Sequence, residues 1–170
     1  MYRLFMTFSA FASLLLSLGA SAAEPLRVTL EAIEHQRAQL VIVEIDGSTQ
    51  SYTPAELEAL PTYRIVTATP WRDLPAAFDG ILLSDLLAAH GLEEVQAIRV
   101  TAENDFATTI PREVWMTTPV LLATRVDGRA HSRRERGPIQ FVVPAEDYAV
   151  SQVLDESHLV WMAARIEPAK

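Results

Sequence analysis

The chain has 170 residues, 14 lysines and arginines against 22 aspartates and glutamates, a formal charge of −8, and no cysteine. Such an acidic balance argues against nucleic acid, whose phosphates reward basic patches, and leaves small molecules and basic protein surfaces open as partners. Without a thiol there is no disulfide, no thiolate-held zinc, no iron–sulfur cluster and no cysteine nucleophile, so packing alone must hold the fold.

Residues 1–22 read as a signal peptide. Arg3 gives a short positive start, Leu4 to Leu18 form an apolar stretch, and Ala20-Ser21-Ala22 supplies the small-x-small cleavage pattern. An uncleaved anchor is the alternative, but the apolar stretch is short for a bilayer span. No twin-arginine pair is present, which points to secretion of an unfolded chain. The expected product is a soluble periplasmic protein, residues 23–170, with no membrane insertion after cleavage. Its length suits a single domain.

Leu40 to Ile45 is short, apolar and β-branched, and Asp46-Gly47 follows as a hairpin turn with Gln50 to Tyr52 returning. Thr53-Pro54-Ala55-Glu56 carries the signature of a capped helix start, and Pro61 ends that helix. Tyr63 to Thr67 alternates as a strand and runs into Thr69-Pro70-Trp71. Phe78-Asp79-Gly80 leads into a helix from Ile81 to His90, with Leu82, Leu83, Leu86 and Leu87 on one face and Gly91 as its stop. Strands are expected over Val95 to Ala102, Phe106 to Ile110, Val120 to Val126 (turning at Asp127-Gly128) and Ile139 to Val143, with one helical turn after Pro111. Mixed strands and short helices without βαβ regularity indicate an α+β domain.

Three segments together resemble the molybdopterin-binding fold of sulfite-oxidase-like oxidoreductases. They are Thr67-Ala68-Thr69-Pro70-Trp71, Phe78-Asp79-Gly80-Ile81-Leu82-Leu83-Ser84-Asp85-Leu86-Leu87, and Gly137-Pro138-Ile139-Gln140-Phe141-Val142-Val143-Pro144, followed by Trp161 and Ile166. The resemblance spans roughly residues 40 to 166 and implies a mixed-sheet domain of that type. In the family's enzymes a cysteine four residues before the tryptophan ligates molybdenum; the matching residue here is Thr67, a hard and normally protonated ligand. With the Sec-type leader, this leads to the expectation of no enzyme and no molybdenum. The chain further resembles small periplasmic members that bind a free reduced pterin and relay its presence to a membrane-bound cyclic-di-GMP enzyme. That implies two partners: a small-molecule pterin and the periplasmic domain of a membrane-bound receptor. The competing readings are a molybdopterin-dependent oxidoreductase with an unusual ligand set and a ligand-independent accessory protein.

A pterin is a flat bicycle with a guanidine-like edge that a carboxylate can accept in a fork, and its faces suit aromatic or guanidinium planes. Asp105 is the chosen carboxylate, with Asn104 beside it; both also fit a plain turn. Trp71 either stacks on the ligand or fills core space. Arg136 either presents a cation or belongs to the basic run His131-Ser132-Arg133-Arg134-Glu135-Arg136, which is either a solvated hairpin loop or a docking patch for an acidic receptor surface. Thr67 either donates a hydroxyl into the pocket or simply occupies it. Trp161 reads as core, and Trp115 as either pocket rim or cover for a helix. His35, His90, His131 and His158 show no metal spacing, and Ser84-Asp85 lies in a helix rather than a nucleophile elbow. No metal site and no catalytic residue are assigned.

Overall fold

The computed structural model describes residues 24–169; the proposed leader lies outside the described residues. Two sheets carry the domain. The first holds β1 (Leu26–Val28), β4 (Thr62–Thr69), β5 (Arg72–Leu82), β8 (Leu121–Val126) and β10 (Gln140–Val142) in that order, with β9 (Arg129–Ala130) paired to β8. The second runs β3 (Thr49–Tyr52), β2 (Leu40–Val43), β11 (Ala163–Pro168), β6 (Ala97–Ala102), β7 (Ala107–Pro111). All its pairs are antiparallel except β2 with β11, which run parallel. Few and short helices beside mixed sheets make this an α+β fold.

Local signals in the sequence set several elements. Helix α1 (Pro54–Leu57) opens with a full capping box: Thr53 Oγ1 accepts from Glu56 N, and Glu56 Oε2 accepts from Thr53 N at 2.7 Å. Helix α2 (Leu83–Ala89) stops where Gly91 takes φ +64, with Leu92 N donating to Leu87 O at 2.8 Å. Its leucine face, Leu83, Leu86 and Leu87, is fully buried with Leu40, Ile42, Ile98, Val100 and Ile166 from the second sheet. On β8 every residue is buried: Leu122 joins this core, while Leu121 and Ala123 join a smaller cluster with Ile65 and Phe78 on the opposite face.

The sequence reading of 78–90 needs correction. Instead of leading into a helix at Ile81, Phe78-Asp79-Gly80 belongs to β5, an eleven-residue strand between β4 and β8, and the helix starts only at Leu83. Gly80 is placed by a close approach: a Cβ there would stand 2.0 Å from Leu122 O, where the β5–β8 register shifts. Helix α3 (Arg112–Thr117) follows β7, and α4 (Ala145–Val150) follows β10. Trp115 is core, 5% exposed. No helix among the described residues is long and apolar enough to cross a membrane.

Candidate functional site

The turn between β4 and β5 projects Trp71 against a second turn, the 3-10 segment Arg133–Glu135 that ends in Arg136. The Arg136 guanidinium carbon lies 4.9 Å from the Trp71 ring centroid and 5.5 Å from that of Trp161, so one cation sits against two indoles. Trp161 is 36% exposed, not core. The next residue, Met162, takes φ 55, receives Glu103 N at its carbonyl and donates to Arg136 O.

Arg136 itself holds φ 76 and Asp105 φ 65. Two of the four non-glycine residues with positive φ among those described, Arg136 and Met162, therefore adjoin Trp161. Such backbone is costly for side-chain-bearing residues, by on the order of 1 kcal/mol or more each, and gathers where a site over-determines it. Arg133 secures the arrangement: its guanidinium reaches both Glu103 carboxylate oxygens at 2.7 Å and the carbonyl of Arg37. Gly137 is required next to Arg136, since a Cβ would come within 2.5 Å of the His131 carbonyl.

Two clefts of about 210 Å³ each meet at Trp71. One is apolar, walled by Ala68, Pro70 and Trp71 on one side and by Phe141, Tyr148 and Leu159 on the other. The second is cationic, bounded by Arg72, Arg134, Arg136 and His131, with Glu135 as its carboxylate. Small-molecule sites generally start near roughly 300 Å³. Each cleft is below that size, and the two share Thr69, Trp71 and Gln140 as lining residues.

Two side-chain atoms of residues walling the second cleft are buried with no hydrogen-bond partner: Arg136 Nε, a donor, and His131 Nδ1. His131 Nε2 lies 2.8 Å from Gln140 Oε1, an acceptor, which makes Nε2 the protonated nitrogen and leaves Nδ1 a bare acceptor. Buried groups normally find partners, so these two atoms stand out as unsatisfied beside the second cleft.

Burial holds His131 below its ordinary 6.5, opposed by the Gln140 hydrogen bond. Its stabilising contribution is complete above pH 6.5. It is lost as the pH falls from there, because the unfolded chain then binds the proton first. Urea unfolding at pH 7.5 and at about pH 5 should show this loss, and His131→Gln should make the pH difference smaller. An unchanged difference would remove His131 as its source.

The structure brings together Trp71 and Arg136 of the residues singled out in the sequence, with Thr67 behind them. Asp105 and Asn104 stand elsewhere. Asp105 is exposed and lines neither cleft. Asn104 Oδ1 accepts from Phe106 N at 3.3 Å, closing its own turn, and faces a third cleft on the side of Phe106, Ser157 and Trp161. Sequence reasoning missed Glu135, Tyr148 and Trp161 as site residues. Glu135 was visible only as one acid inside a basic run, and Trp161 was masked by its apolar neighbours.

Comparison with known proteins now bears on this geometry. Residues 12–153 match the family described as oxidoreductase molybdopterin binding domain. The chain belongs to that family. Among solved structures it is similar to the sulfane dehydrogenase SoxCD from Paracoccus pantotrophus, with a TM-score of 0.60 and 18% identity over 81% of this chain. The chain spans 39% of that protein's length. At this identity the likeness speaks for the fold. No curated protein matches.

Family membership corrects two expectations drawn from Thr67 and the Sec-type leader. A chain with no enzymatic character and no molybdenum was expected; the family is one of oxidoreductases that bind molybdopterin, and the solved neighbour is a dehydrogenase. The inference failed because it judged the whole cofactor from one missing ligand atom and an export signal. A cofactor of this kind brings the redox chemistry, while the protein contributes binding, orientation and electrostatics. The residues here fit the organic, flat-ring part of such a group, through the indole–guanidinium stack and the unpaired donor and acceptor beside it. For a metal the chain supplies no cysteine. The Thr67 hydroxyl is engaged within the protein, accepting from Ala145 N at 2.8 Å and donating to Ala68 O at 3.0 Å.

Proposed function

We propose that this molybdopterin-binding oxidoreductase-like domain holds a pterin ring across Trp71, either as the ring of molybdopterin or as a free reduced pterin. The observation that carries this reading is the Arg136 guanidinium held against both Trp71 and Trp161, where Trp71 is a wall shared by an apolar and a cationic cleft and the cationic one is lined by two residues with unpaired buried nitrogens. In this reading the ring's face packs on Trp71 in the apolar cleft, opposite Phe141 and Tyr148. Its polar edge turns toward Arg136 and His131, and the Glu135 carboxylate accepts from the guanidine-like edge, a charge-assisted bond about twice as strong as a neutral one.

Glu135→Gln keeps the shape and removes the charge. It should weaken binding of tetrahydrobiopterin about tenfold, measured by calorimetry. Unchanged affinity would take the carboxylate out of the site. Native mass spectrometry of protein isolated from its own cells separates the two sources of the ring. A pterin mass released alone favours the free ligand, and one released with stoichiometric molybdenum favours molybdopterin. A different class of small molecule would end the reading.

The setting we propose is the periplasm, supported by the leader-like pattern of residues 1–22. There the domain would pass the state of its ligand to a membrane-bound cyclic-di-GMP enzyme. That relay is supported by the sequence resemblance, and by the bonds from Arg133 to Gln36 Oε1 and the Arg37 carbonyl, which link the Arg136 turn to that surface segment. Capture of a membrane receptor that comes and goes with added pterin is the outcome this part requires; capture indifferent to pterin contradicts it.

A further inference from the structure

We propose that Thr67 is a positioning residue that fixes the separation of the two walls of the apolar cleft by tethering the start of α4. The idea deepens the pterin reading, since it concerns the same cleft. Thr67 is 3% exposed on β4, directly ahead of the Ala68–Trp71 wall. Its Oγ1 accepts from the backbone N–H of Ala145, 78 positions away, at 2.8 Å. Ala145 is the first residue of α4, whose Tyr148 forms the opposing wall.

Helix α4 needs such a tether. The first N–H groups of a helix have no partner within it, and an N-cap side chain usually accepts from one of them. Here the N-cap is Pro144, which has no side-chain acceptor, and no capping bond is present. Nor is any residue of α4 fully buried, so packing holds it weakly. The Thr67 hydroxyl supplies from the neighbouring strand what the local sequence lacks. Its proton goes to Ala68 O at 3.0 Å, which orients the lone pair toward α4. One hydroxyl thus ties the strand leading to Trp71 to the helix bearing Tyr148, and the gap between them is the space available to a flat ring.

Thr67→Val keeps the volume and leaves the Ala145 N–H unpaired; Thr67→Ser keeps the hydroxyl. Hydrogen exchange over residues 145–150 and calorimetry with tetrahydrobiopterin read the two consequences. In Thr67→Val, exchange over 145–150 should speed up about tenfold and binding should weaken by about the same factor, with protection of β8 unchanged. Thr67→Ser should stay close to the original chain in both. Thr67→Ala serves the same purpose if the valine variant does not fold. Undisturbed α4 protection in the hydroxyl-free variant overturns the proposal. So does a serine variant as impaired as valine, or a loss of protection spread evenly over the sheets. If the original chain binds no pterin, the pterin reading falls, while the exchange comparison still judges the tether on its own.

Discussion

Replacing Trp71 by alanine should weaken tetrahydrobiopterin binding by about 30- to 150-fold. Stacking a flat heterocycle on an aromatic side chain is worth about 1–3 kcal/mol by alanine substitution, and each 1.4 kcal/mol is tenfold. Trp71 sits at the upper end of that range because it has two roles. It is the wall shared by both clefts, and its ring is the nearer of the two plates holding the Arg136 guanidinium. Its removal therefore takes away the stacking face and loosens the cation beside it. Calorimetry is the suitable readout, since the substitution also removes a fluorophore. Trp161→Ala should have the smaller effect, because that ring is farther from Arg136 and partly in solvent. An affinity in Trp71→Ala within threefold of the original would place the ligand elsewhere.

The largest expected loss of stability comes from Glu58→Ala, about 3–5 kcal/mol by urea unfolding at neutral pH. Typical domains have only about 5–15 kcal/mol in total, so the variant should be substantially unfolded in mild denaturant. Glu58 lies at the end of α1 with its side chain 8% exposed, against Arg125 at 5% and His35 at 6%. Its carboxylate accepts from Arg125 Nε at 2.9 Å, from Thr124 Oγ1 at 2.6 Å, and meets His35 Nε2 at 3.1 Å. Removing it leaves a buried guanidinium without its counter-charge, which is the costly half of breaking a buried pair.

The pH dependence follows. Burial pushes the Glu58 carboxyl up, but the Arg125 and Thr124 hydrogen bonds outweigh it and hold the group below its ordinary 4.5. Its contribution is therefore present above 4.5 and is lost as the pH falls through the lower folded value. Replacing both partners with apolar residues, Glu58→Leu with Arg125→Met, should recover much of the loss. A single variant that costs less than about 1 kcal/mol, the range of an exposed pair, would mean the network is solvated.

What the sequence revealed and what it hid divide along the range of the interactions. The capping box at Thr53 and Glu56, the stop at Gly91 and the turn at Asp127-Gly128 are local chemistry, and each appears where the residues put it. β5 was hidden because Arg72-Asp73-Leu74-Pro75 and Asp79-Gly80 look like loop residues. Its extended form is imposed by β4 and β8 on either side, and Asp79 is buried only because Arg64 donates two bonds to it. Arg125 lies in the run Leu121–Val126, buried, and the strand pattern alone says nothing of its charge. Its partner Glu58 is 67 positions away, so no periodicity announces the pair. In the site, the segment around Trp71 was visible through a resemblance. The second tryptophan against Arg136 was not, because Trp161 sits among apolar neighbours in the sequence and meets Arg136 only through the fold.

The most direct test is a titration of the chain with tetrahydrobiopterin, followed by tryptophan emission. Trp71 walls the proposed ring position, so quenching should saturate at one pterin per chain. Unchanged emission together with no heat of binding up to about 1 mM ligand would contradict a pterin cleft at Trp71.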